Sequence, residues 1–264
     1  TLEQSFFRNG ENGQTFVGLA NFATLFGDPT WSTGFWNALK NNILFFIIHM
    51  LVQNPIGIVL AALLSSPKLR MAAFYRTAIF VPTILSFVIV GFIWKLILSP
   101  IWGIAPGMLD AVGLKALFAP WLGKEDYALT TLALISVWQF VGIPMMLIYA
   151  ALLSIPDEVI EAAEMDGVTG WAQFWKIKLP LILPAILAGA TLGFAKAMGE
   201  FGATITFVSN IPGQTQTLPS AIYALLQVPE GEAQAMRLVL VSAVIAIGAV
   251  LASEWLARRM QGRR

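Results

Sequence analysis

The sequence predicts an all-α membrane protein, a polytopic helical bundle with five transmembrane spans. Of its 264 residues, 57% are apolar and only 12% are charged, whereas an average soluble domain has about 25% charged residues. Five stretches approach or exceed the roughly 20 apolar residues that a helix needs to cross a bilayer. None of them alternates apolar and polar residues with a period of two, which favours helices over a barrel of strands.

The composition also excludes several functions. A net charge of +1 provides no strong field that would select a nucleic acid. The sequence has no cysteine, which excludes a disulfide framework, a thiolate zinc site and a cysteine nucleophile. The single histidine, His49, excludes a histidine metal cluster, and we expect it to be a packed or hydrogen-bonded core residue. We expect no metal and no cofactor.

The five predicted spans cover, in chain order, residues 41–64, 77–94, 127–156, 179–208 and 238–253. The first two contain no charge, and the third is uncharged throughout and must tilt or project because it exceeds the bilayer thickness. The fourth is interrupted only by Lys196 and Glu200. The fifth is short, and we expect it to extend outward over residues 233–236 by letting Arg237 snorkel to the interface.

The lysines and arginines of the connections predict the orientation of the spans. The richer set, which we place in the cytoplasm, consists of Lys68, Arg70, Arg76, Lys176, Lys178, Arg258, Arg259, Arg263 and Arg264. The poorer set is spread over longer segments and consists of Arg8, Lys40, Lys95, Lys115, Lys124 and Arg237. Residues 1–35 then form an extracytoplasmic segment. We expect a sixth, N-terminal span to be missing upstream of Thr1; the alternative is a five-span protein with a translocated N-terminus.

Helix-breaking residues recur inside the spans, which predicts kinks and suits a bundle with a cavity or moving parts. They are Pro55, Gly57, Pro82, Gly142, Pro144, Pro180 and Pro184. A stripe of small residues, Ala185, Gly189 and Gly193, would let another helix pack closely on the fourth span. Packing explains these features about as well as function does.

The connection 154–178 predicts two short amphipathic helices hinged at a glycine. Asp157 and Glu158 follow a proline and are favoured at a helix N-terminus, and Asp166-Gly167 is a turn signal because glycine adopts positive φ. Each side of the hinge carries an apolar ridge, formed by Val159, Ile160, Ala163 and Met165, and by Trp171, Phe174, Trp175 and Ile177. So much apolar surface must dock on something, either the spans of this chain or a partner.

The residues of this connection match a known pattern. The pattern begins with Glu161-Ala162-Ala163 and continues, after three intervening residues, with Gly167. Nine further residues separate Gly167 from Ile177, and one residue separates Ile177 from Leu179-Pro180. This pattern resembles the signature loop of binding-protein-dependent ABC importer permeases (the type I transmembrane domain). The resemblance implies that residues 1–264 form a single permease domain and that 154–178 is a cytoplasmic coupling loop. It implies that the ATPase is contacted through Glu161, Ala162, Ala163, Asp166, Gly167, Ile177, Leu179 and Pro180.

The resemblance also implies the partners and the mechanism. A cytoplasmic ABC ATPase dimer moves the coupling loops, an extracytoplasmic solute-binding protein delivers the solute, and two permease subunits, identical or homologous, enclose the path. The sequence contains no Gly-rich phosphate loop that ends in Lys-Ser or Lys-Thr, so the chain is expected to be a transporter subunit without its own ATPase site. Its expected place is the inner membrane of a bacterial or archaeal cell, among lipids.

The resemblance divides the chain between two subfamilies. Up to about residue 185 the sequence resembles carbohydrate permeases, and the resemblance is carried by residues 16–22, 75–82 and 154–167. From about residue 188 it resembles the molybdate permease, through residues 199–223 and 253–258. The resemblance favours import of a molybdate-class oxyanion, because the match over 199–223 is the more specific. Carbohydrate import is the alternative, and a non-transporting hybrid or truncated permease is a further one.

Lys196, Glu200 and Phe201 are candidate pore or gate residues. Lys196 and Glu200 lie four residues apart and are expected on one face of the fourth helix, where charges face a polar interior or each other. Lys196 would attract an anion. The alternative is an internal ion pair with snorkelling. A membrane-embedded enzyme would need a nucleophile beside a base, and at membrane depth the sequence offers only these two charges and His49.

The connection 208–232, which we call the outer loop, is the candidate contact for a solute-binding protein. Proline and glycine shape this segment, and neutral amides and hydroxyls offer hydrogen bonds. The expected contact residues are Asn210, Pro212, Gly213 and Gln214.

Overall fold

The computed structural model describes residues 2–10, 13–66, 69–229 and 231–261. Lys68, Arg263 and Arg264, on which part of the predicted orientation rests, lie outside the described residues. The helices and strands are a 3₁₀ turn Leu2–Phe6, β1 Phe7–Gly10, β2 Gly13–Phe16, α1 Ala20–Gly27, α2 Pro29–Ile48, a π-helical turn His49–Gln53, α3 Asn54–Leu64, α4 Ala72–Phe80, a 3₁₀ turn Val81–Ile84, α5 Phe87–Ile97, α6 Ile104–Ala111, a 3₁₀ turn Lys115–Leu117, α7 Glu125–Phe140, α8 Gly142–Leu153, α9 Asp157–Met165, α10 Gly170–Gln173, a π-helical turn Phe174–Lys178, α11 Leu179–Met198, α12 Gly202–Phe207, α13 Leu218–Leu226 and α14 Glu232–Gln261.

The described chain confirms the all-α membrane class. Three continuous helices are long and apolar enough to cross a membrane: Trp31–Leu64, Gly170–Met198 and Glu232–Ala252. Two further pairs pass the same criterion but are bent, by 98° between Ala72–Ile84 and Phe87–Ile97 and by 43° between Glu125–Phe140 and Gly142–Leu153. If each bent pair is one span, the count is five, as predicted. The strands β1 and β2 form an antiparallel hairpin with Phe7 opposite Phe16.

The predicted second span, 77–94, is not one straight helix. Pro82 lies in the 3₁₀ turn that ends α4, and proline both lacks an N–H and disfavours a helical residue before it. Ser86 then begins α5, because its hydroxyl accepts a hydrogen bond from the backbone N–H of Val88 at 3.2 Å. The apolar run is therefore divided at residues 85–86.

The predicted fourth span, 179–208, also differs from the structure. The helix ends at Met198, residues 199–201 are not helical, and α12 begins at Gly202. Gly199 follows the last helical residue, and its N–H closes the last turn by donating to the carbonyls of Ala195 and Lys196 at 3.0 and 3.1 Å. The expectation that Lys196 and Glu200 share one helix face is wrong, since only Lys196 lies on the helix.

A π-helical turn interrupts the first long helix. The N–H of Asn54 donates to the carbonyl of His49, five residues back. Pro55 follows and has no N–H to offer to the carbonyl of Leu51. The hydrogen-bond pattern therefore includes an i→i−5 bond directly before the proline. Single π-helical turns of this kind occur within α-helices.

The chain divides into two compact units. The first unit comprises Thr1–Ile47, Ser86–Ile135 and Ala195–Ala249, and the second comprises Ile48–Leu85, Ser136–Phe194 and Val250–Arg264. In the first unit α5 packs on α12 through glycine: a Cβ on Gly91 would lie 2.7 Å from Thr206 Cγ2.

The second unit has a continuous apolar core made of Ala61, Leu64, Met145, Ile148, Leu152, Phe174 and Ile182. α3 and α8 approach closely at Gly57, where a Cβ would lie 3.2 Å from the backbone nitrogen of Met145. His49 is buried in this unit, and its Nε2 lies 3.2 Å from the hydroxyl of Ser136. It is a packed, hydrogen-bonded core residue, as the sequence predicted.

Candidate functional site

The predicted coupling loop, 154–178, begins with the helix that the sequence predicted. α9 starts directly after Pro156, whose carbonyl accepts from the N–H of Val159 at 3.1 Å. Asp157 and Glu158 occupy its first turn, where their carboxylates complement the partial positive charge of the helix N-terminus.

One side of α9 faces the protein and the other is exposed. Ala163 is buried, and its small side chain lets the helix lie close to the rest of the second unit. Glu161 and Ala162 are exposed, and Met165 is 84% exposed. An exposed methionine beside two small or acidic side chains is a surface suited to a protein partner.

Gly167 forms the hinge after α9. Its φ is +76°, which is costly for any residue with a Cβ. Its N–H donates to the carbonyl of Glu164 at 3.0 Å, and the N–H of Val168 donates to the carbonyl of Ala163 at 2.8 Å. A Cβ at Gly167 would meet no atom within 4 Å. Glycine is thus required there by the backbone angle and not by lack of space.

The second half of the predicted coupling loop differs from the prediction. The expected second short helix is the start of the long helix Gly170–Met198, which passes through the π-helical turn Phe174–Lys178. Phe174 joins the core of the second unit, whereas Trp171 and Trp175 are 66% and 60% exposed. The apolar ridge therefore splits between the protein interior and its surface.

The later motif residues, Ile177, Leu179 and Pro180, lie on this long helix; the first two are half-buried and Pro180 is exposed. Sequence analysis missed the buried Gln173, whose Nε2 donates to the carbonyl of Ile160 at 3.4 Å. This contact ties the start of the long helix to α9. A single polar residue within an otherwise apolar ridge was the available signal.

In the first unit, Glu200 occupies the break between α11 and α12. Only 3% of it is exposed. Its Oε1 accepts from the N–H of Ala203 at 2.8 Å, and its backbone carbonyl accepts from the Thr217 hydroxyl at 2.8 Å. The carboxylate also interacts electrostatically with the half-buried Lys196. Glu200 is therefore buried, and its carboxylate accepts a hydrogen bond from the first turn of α12.

Phe201, the third candidate gate residue, is half-buried beside Glu200. Its ring lies 5.0 Å from that of Tyr223, centroid to centroid. This distance is within the range of favourable aromatic pairs. Phe201 thus packs against α13.

Two adjacent asparagines of α2 hold this region together. Asn42 donates from Nδ2 to the carbonyl of Ala197, and its Oδ1 accepts from the N–H of Leu218 at 2.8 Å. Asn41 donates to the carbonyls of Gln214 and Gln216 at 2.9 and 2.8 Å. The two asparagine side chains thus provide hydrogen-bond partners for backbone groups at the end of α11 and in the outer loop.

The outer loop is a fixed structure around a buried hydroxyl. Thr215 donates to the carbonyl of Ser209 at 2.7 Å and accepts from the N–H of Ile211 at 3.2 Å. These bonds accompany a positive φ of 65° at Ser209. The loop also contains α13, which the sequence analysis did not predict.

The four predicted contact residues of the outer loop divide into two pairs. Pro212 and Gly213 are exposed. Asn210 is half-buried and donates to the carbonyl of Ser220 at 3.1 Å, and the backbone of Gln214 is held by Asn41. Three polar residues that shape this region were not predicted from the sequence: Asn41, Asn42 and Thr217. Their signal was polar side chains in an apolar setting, where they need internal partners.

Comparison with known proteins places these features in a family. Residues 53–262 match the model of the binding-protein-dependent transport system inner membrane component family. The chain is 37% identical over 225 residues to the molybdenum transport system permease protein ModB of Escherichia coli (strain K12), covering 84% of this chain and 93% of that protein. It is 30% identical over 244 residues to the probable starch degradation products transport system permease protein AmyD of Thermoanaerobacterium thermosulfurigenes, covering 90% and 80%.

A solved structure has the same fold. The bacterial alginate ABC transporter in complex with alginate pentasaccharide-bound periplasmic protein matches with a TM-score of 0.78 and 25% identity. The match covers 92% of this chain and 83% of the chain in that structure.

Proposed function

Because this chain belongs to the family of binding-protein-dependent transport system inner membrane components, we propose that its coupling loop, 154–178, links an ABC importer permease to a separate cytoplasmic ATPase. The chain is a permease of the inner membrane and acts as a transporter subunit. The observation that carries the assignment of the loop is α9 itself: an exposed helix with the Glu-Ala-Ala motif that ends at a glycine with φ +76°.

The contact residues follow from exposure. Glu161, Ala162, Asp166 and Gly167 are exposed and form the contact with the ATPase. Ala163, Ile177 and Leu179 are buried or half-buried and position α9, and Pro180 extends the exposed edge at the start of the long helix. ATP binding closes the ATPase dimer. ATP shifts the transporter between two conformations because it binds one of them more tightly than the other.

ATP hydrolysis itself is assigned to the partner. The sequence has no Gly-rich phosphate loop with a following Lys-Ser or Lys-Thr. The solute arrives from an external binding protein, which the outer loop receives through the exposed Pro212 and Gly213. A second permease subunit, identical or homologous, completes the path.

Substitution of the hinge tests the coupling proposal. We expect Gly167→Val to reduce solute transport per ATP hydrolysed, because a β-branched residue at positive φ changes the course of the chain after α9. Gly113→Val is a matched control, since Gly113 has φ +74° and also has no atom within 4 Å of a Cβ position, but lies far from the motif in sequence. Both variants are co-purified with their ATPase and assayed in proteoliposomes. If both variants transport the same amount of solute per ATP hydrolysed, the assignment of residues 154–178 as the coupling loop is wrong.

For the substrate, we propose a molybdate-class oxyanion. The 37% identity to a molybdenum permease over most of both chains supports this class. Glu200 would repel an oxyanion if its carboxylate were free, but it accepts from the N–H of Ala203 and is almost fully buried. Lys196 can then supply the positive charge for the solute path, with Phe201 beside the break as part of the gate.

A carbohydrate is the second candidate, because a permease for starch degradation products is 30% identical over 90% of this chain. Uptake of labelled molybdate and of a labelled maltooligosaccharide, measured with the co-purified ATPase and binding protein, separates the two. Uptake of the sugar alone overturns the oxyanion proposal. ATP hydrolysis with uptake of neither solute would indicate that the chain binds its ATPase without transporting these substrates.

A further inference from the structure

A groove of about 340 Å³ lies in the second unit between the end of α3 and the start of the long helix Gly170–Met198. Its wall on the α3 side is formed by Val59 and Leu63, and its end by Ser65 and Ser66. The groove plays no part in the contacts assigned above to the ATPase.

The apolar wall belongs to a stripe on one face of α3. Ile56, Val59 and Leu63 are spaced by three and four residues, so they lie above one another on the helix. They are 41%, 47% and 57% exposed. An exposed aliphatic stripe on a membrane-spanning helix is covered by acyl chains in the bilayer.

The polar end of the groove follows this stripe directly. Ser65 and Ser66 come immediately after the last helical residue of α3, and Lys178 of the long helix also lines the groove. Among the described residues that line the groove there is no carboxylate. The groove therefore combines an aliphatic wall with hydroxyl groups and one ammonium group.

Trp171 also lines the groove and is 66% exposed. Tryptophan is enriched at the membrane interface, and lysines near the cytoplasmic surface attract anionic lipids. The groove is at the cytoplasmic side in the predicted orientation. An aliphatic wall, an interfacial indole and one cation complement the acyl chain and the charged headgroup of an anionic phospholipid.

We propose that this groove binds an anionic phospholipid of the inner leaflet. One acyl chain lies along Val59 and Leu63, and the headgroup phosphate accepts hydrogen bonds from Lys178 and from the hydroxyl of Ser66, since the hydroxyl of Ser65 donates to the carbonyl of Ala62 at 3.0 Å. Because Trp171 and Lys178 belong to the helix that follows the hinge glycine, a bound lipid steadies the part of the chain that begins directly after the coupling loop turns.

Lipid binding to the purified full chain in detergent tests the proposal. Dioleoylphosphatidylglycerol and dioleoylphosphatidylcholine are added separately, and retained lipid is measured by native mass spectrometry. We expect Lys178→Gln to reduce retention of phosphatidylglycerol about fivefold, from the usual contribution of one lysine near a charged membrane surface. Lys178→Arg should retain it, and retention of phosphatidylcholine should not change.

Lys176→Gln is the matched control, because Lys176 lies on the same π-helical turn but is exposed and does not line the groove. Equal loss in the two glutamine variants would mean that general surface charge binds the lipid, and no loss in Lys178→Gln would also overturn the proposal. Inorganic phosphate is added in a separate arm: if it displaces the phospholipid at millimolar concentration, the groove is a site for free anions and the lipid proposal fails. Binding is measured without ATPase, so the result is independent of the proposed coupling function.

Discussion

At the scale of single residues, the Asn42 side chain supplies two partners at once. Its amide nitrogen donates to the carbonyl of Ala197 and its oxygen accepts from the N–H of Leu218. Asn42 is 1% exposed and Leu218 is fully buried. Water cannot replace these bonds, and an unpaired backbone group buried in this way is costly.

We predict that Asn42→Leu lowers the thermal midpoint of the purified chain, because it leaves the buried N–H of Leu218 unpaired, at about 1–3 kcal/mol, and removes one of two donors to the carbonyl of Ala197. The measurement is intrinsic tryptophan fluorescence during heating in detergent. Lys40→Leu is the control on the same helix, since Lys40 is exposed. Comparable midpoints for the two variants would show that the asparagine is not needed to join α2 to the outer loop.

Glu200 illustrates how a charged residue at membrane depth can be structural. Its carboxylate accepts from the N–H of Ala203 in the first turn of α12. We predict that Glu200→Gln, which retains an acceptor, keeps the folding yield and thermal midpoint near those of the unchanged chain. Glu200→Leu should lower both, since the N–H of Ala203 then loses its partner at a cost of about 1–3 kcal/mol.

If Glu200→Leu is as stable as Glu200→Gln, Glu200 does not act as a structural partner of α12. Transport by Glu200→Gln and by Lys196→Gln then measures the separate gate proposal. We expect Lys196→Gln to reduce uptake of an oxyanion more than uptake of a neutral solute, because it removes the positive charge near the break.

At the scale of elements, the bends are built by side chains as well as by prolines. Where α4 and α5 meet at 98°, Gln139 donates to the carbonyl of Leu85 at 3.0 Å, and Thr83 donates to the carbonyl of Gln139 at 3.1 Å. A bend frees carbonyls that a straight helix would use, and these must find partners inside a membrane protein. The end of α7 supplies them.

Close packing of α8 against α4 depends on Gly142. A Cβ there would lie 3.0 Å from Cα of Phe80 and 3.1 Å from the carbonyl oxygen of Ile79, and backbone atoms cannot move aside as a flexible side chain can. We predict that Gly142→Val destabilises the chain by about 1–3 kcal/mol, as overpacking does. The measurement is the thermal midpoint in detergent.

Gly189→Val is the control for this prediction. Gly189 lies inside α11, and a Cβ there would meet no atom within 4 Å. We expect its midpoint to stay close to that of the unchanged chain. A similar loss in both variants would mean that the helix propensity of valine, and not the contact of α8 with α4, causes the effect.

At the scale of the whole molecule, part of the proposed coupling loop is packed on the described chain and part of it is exposed. Met165 and Trp171 are 84% and 66% exposed, and the sequence predicted that the apolar surface of the loop docks either on the spans of this chain or on a partner. We predict that backbone amides of α9 exchange with solvent rapidly in the isolated permease and become protected when the ATPase is bound. Hydrogen exchange followed by mass spectrometry measures this.

The helix α6 is the control for exchange, because it is also short, spans Ile104–Ala111 and has no buried residue. Its amides should exchange equally with and without the ATPase. Protection of α6 but not of α9 would contradict the assignment of the coupling surface to residues 154–178.

The sequence by itself determined the membrane class, the five apolar stretches, the helix after Pro156 and the turn at Gly167. These depend on local properties: apolar length against bilayer thickness, the chemistry of helix ends and the backbone freedom of glycine. The motif around Glu161 also lies on the element that the pattern predicted.

Only the tertiary structure decided where the apolar runs break and what the buried polar groups do. Pro82 predicts a kink within residues 77–94, but the contact of Gln139 that supports the bend was not predictable, and residues 179–208, predicted as one span, have a break that Glu200 occupies. The bonds of Asn41 and Asn42 to the outer loop join residues more than 170 positions apart. The hydrophobicity of a residue gives the free energy of its transfer out of water, but it does not specify which distant backbone group a polar side chain will bind. These contacts are therefore visible only in the folded chain.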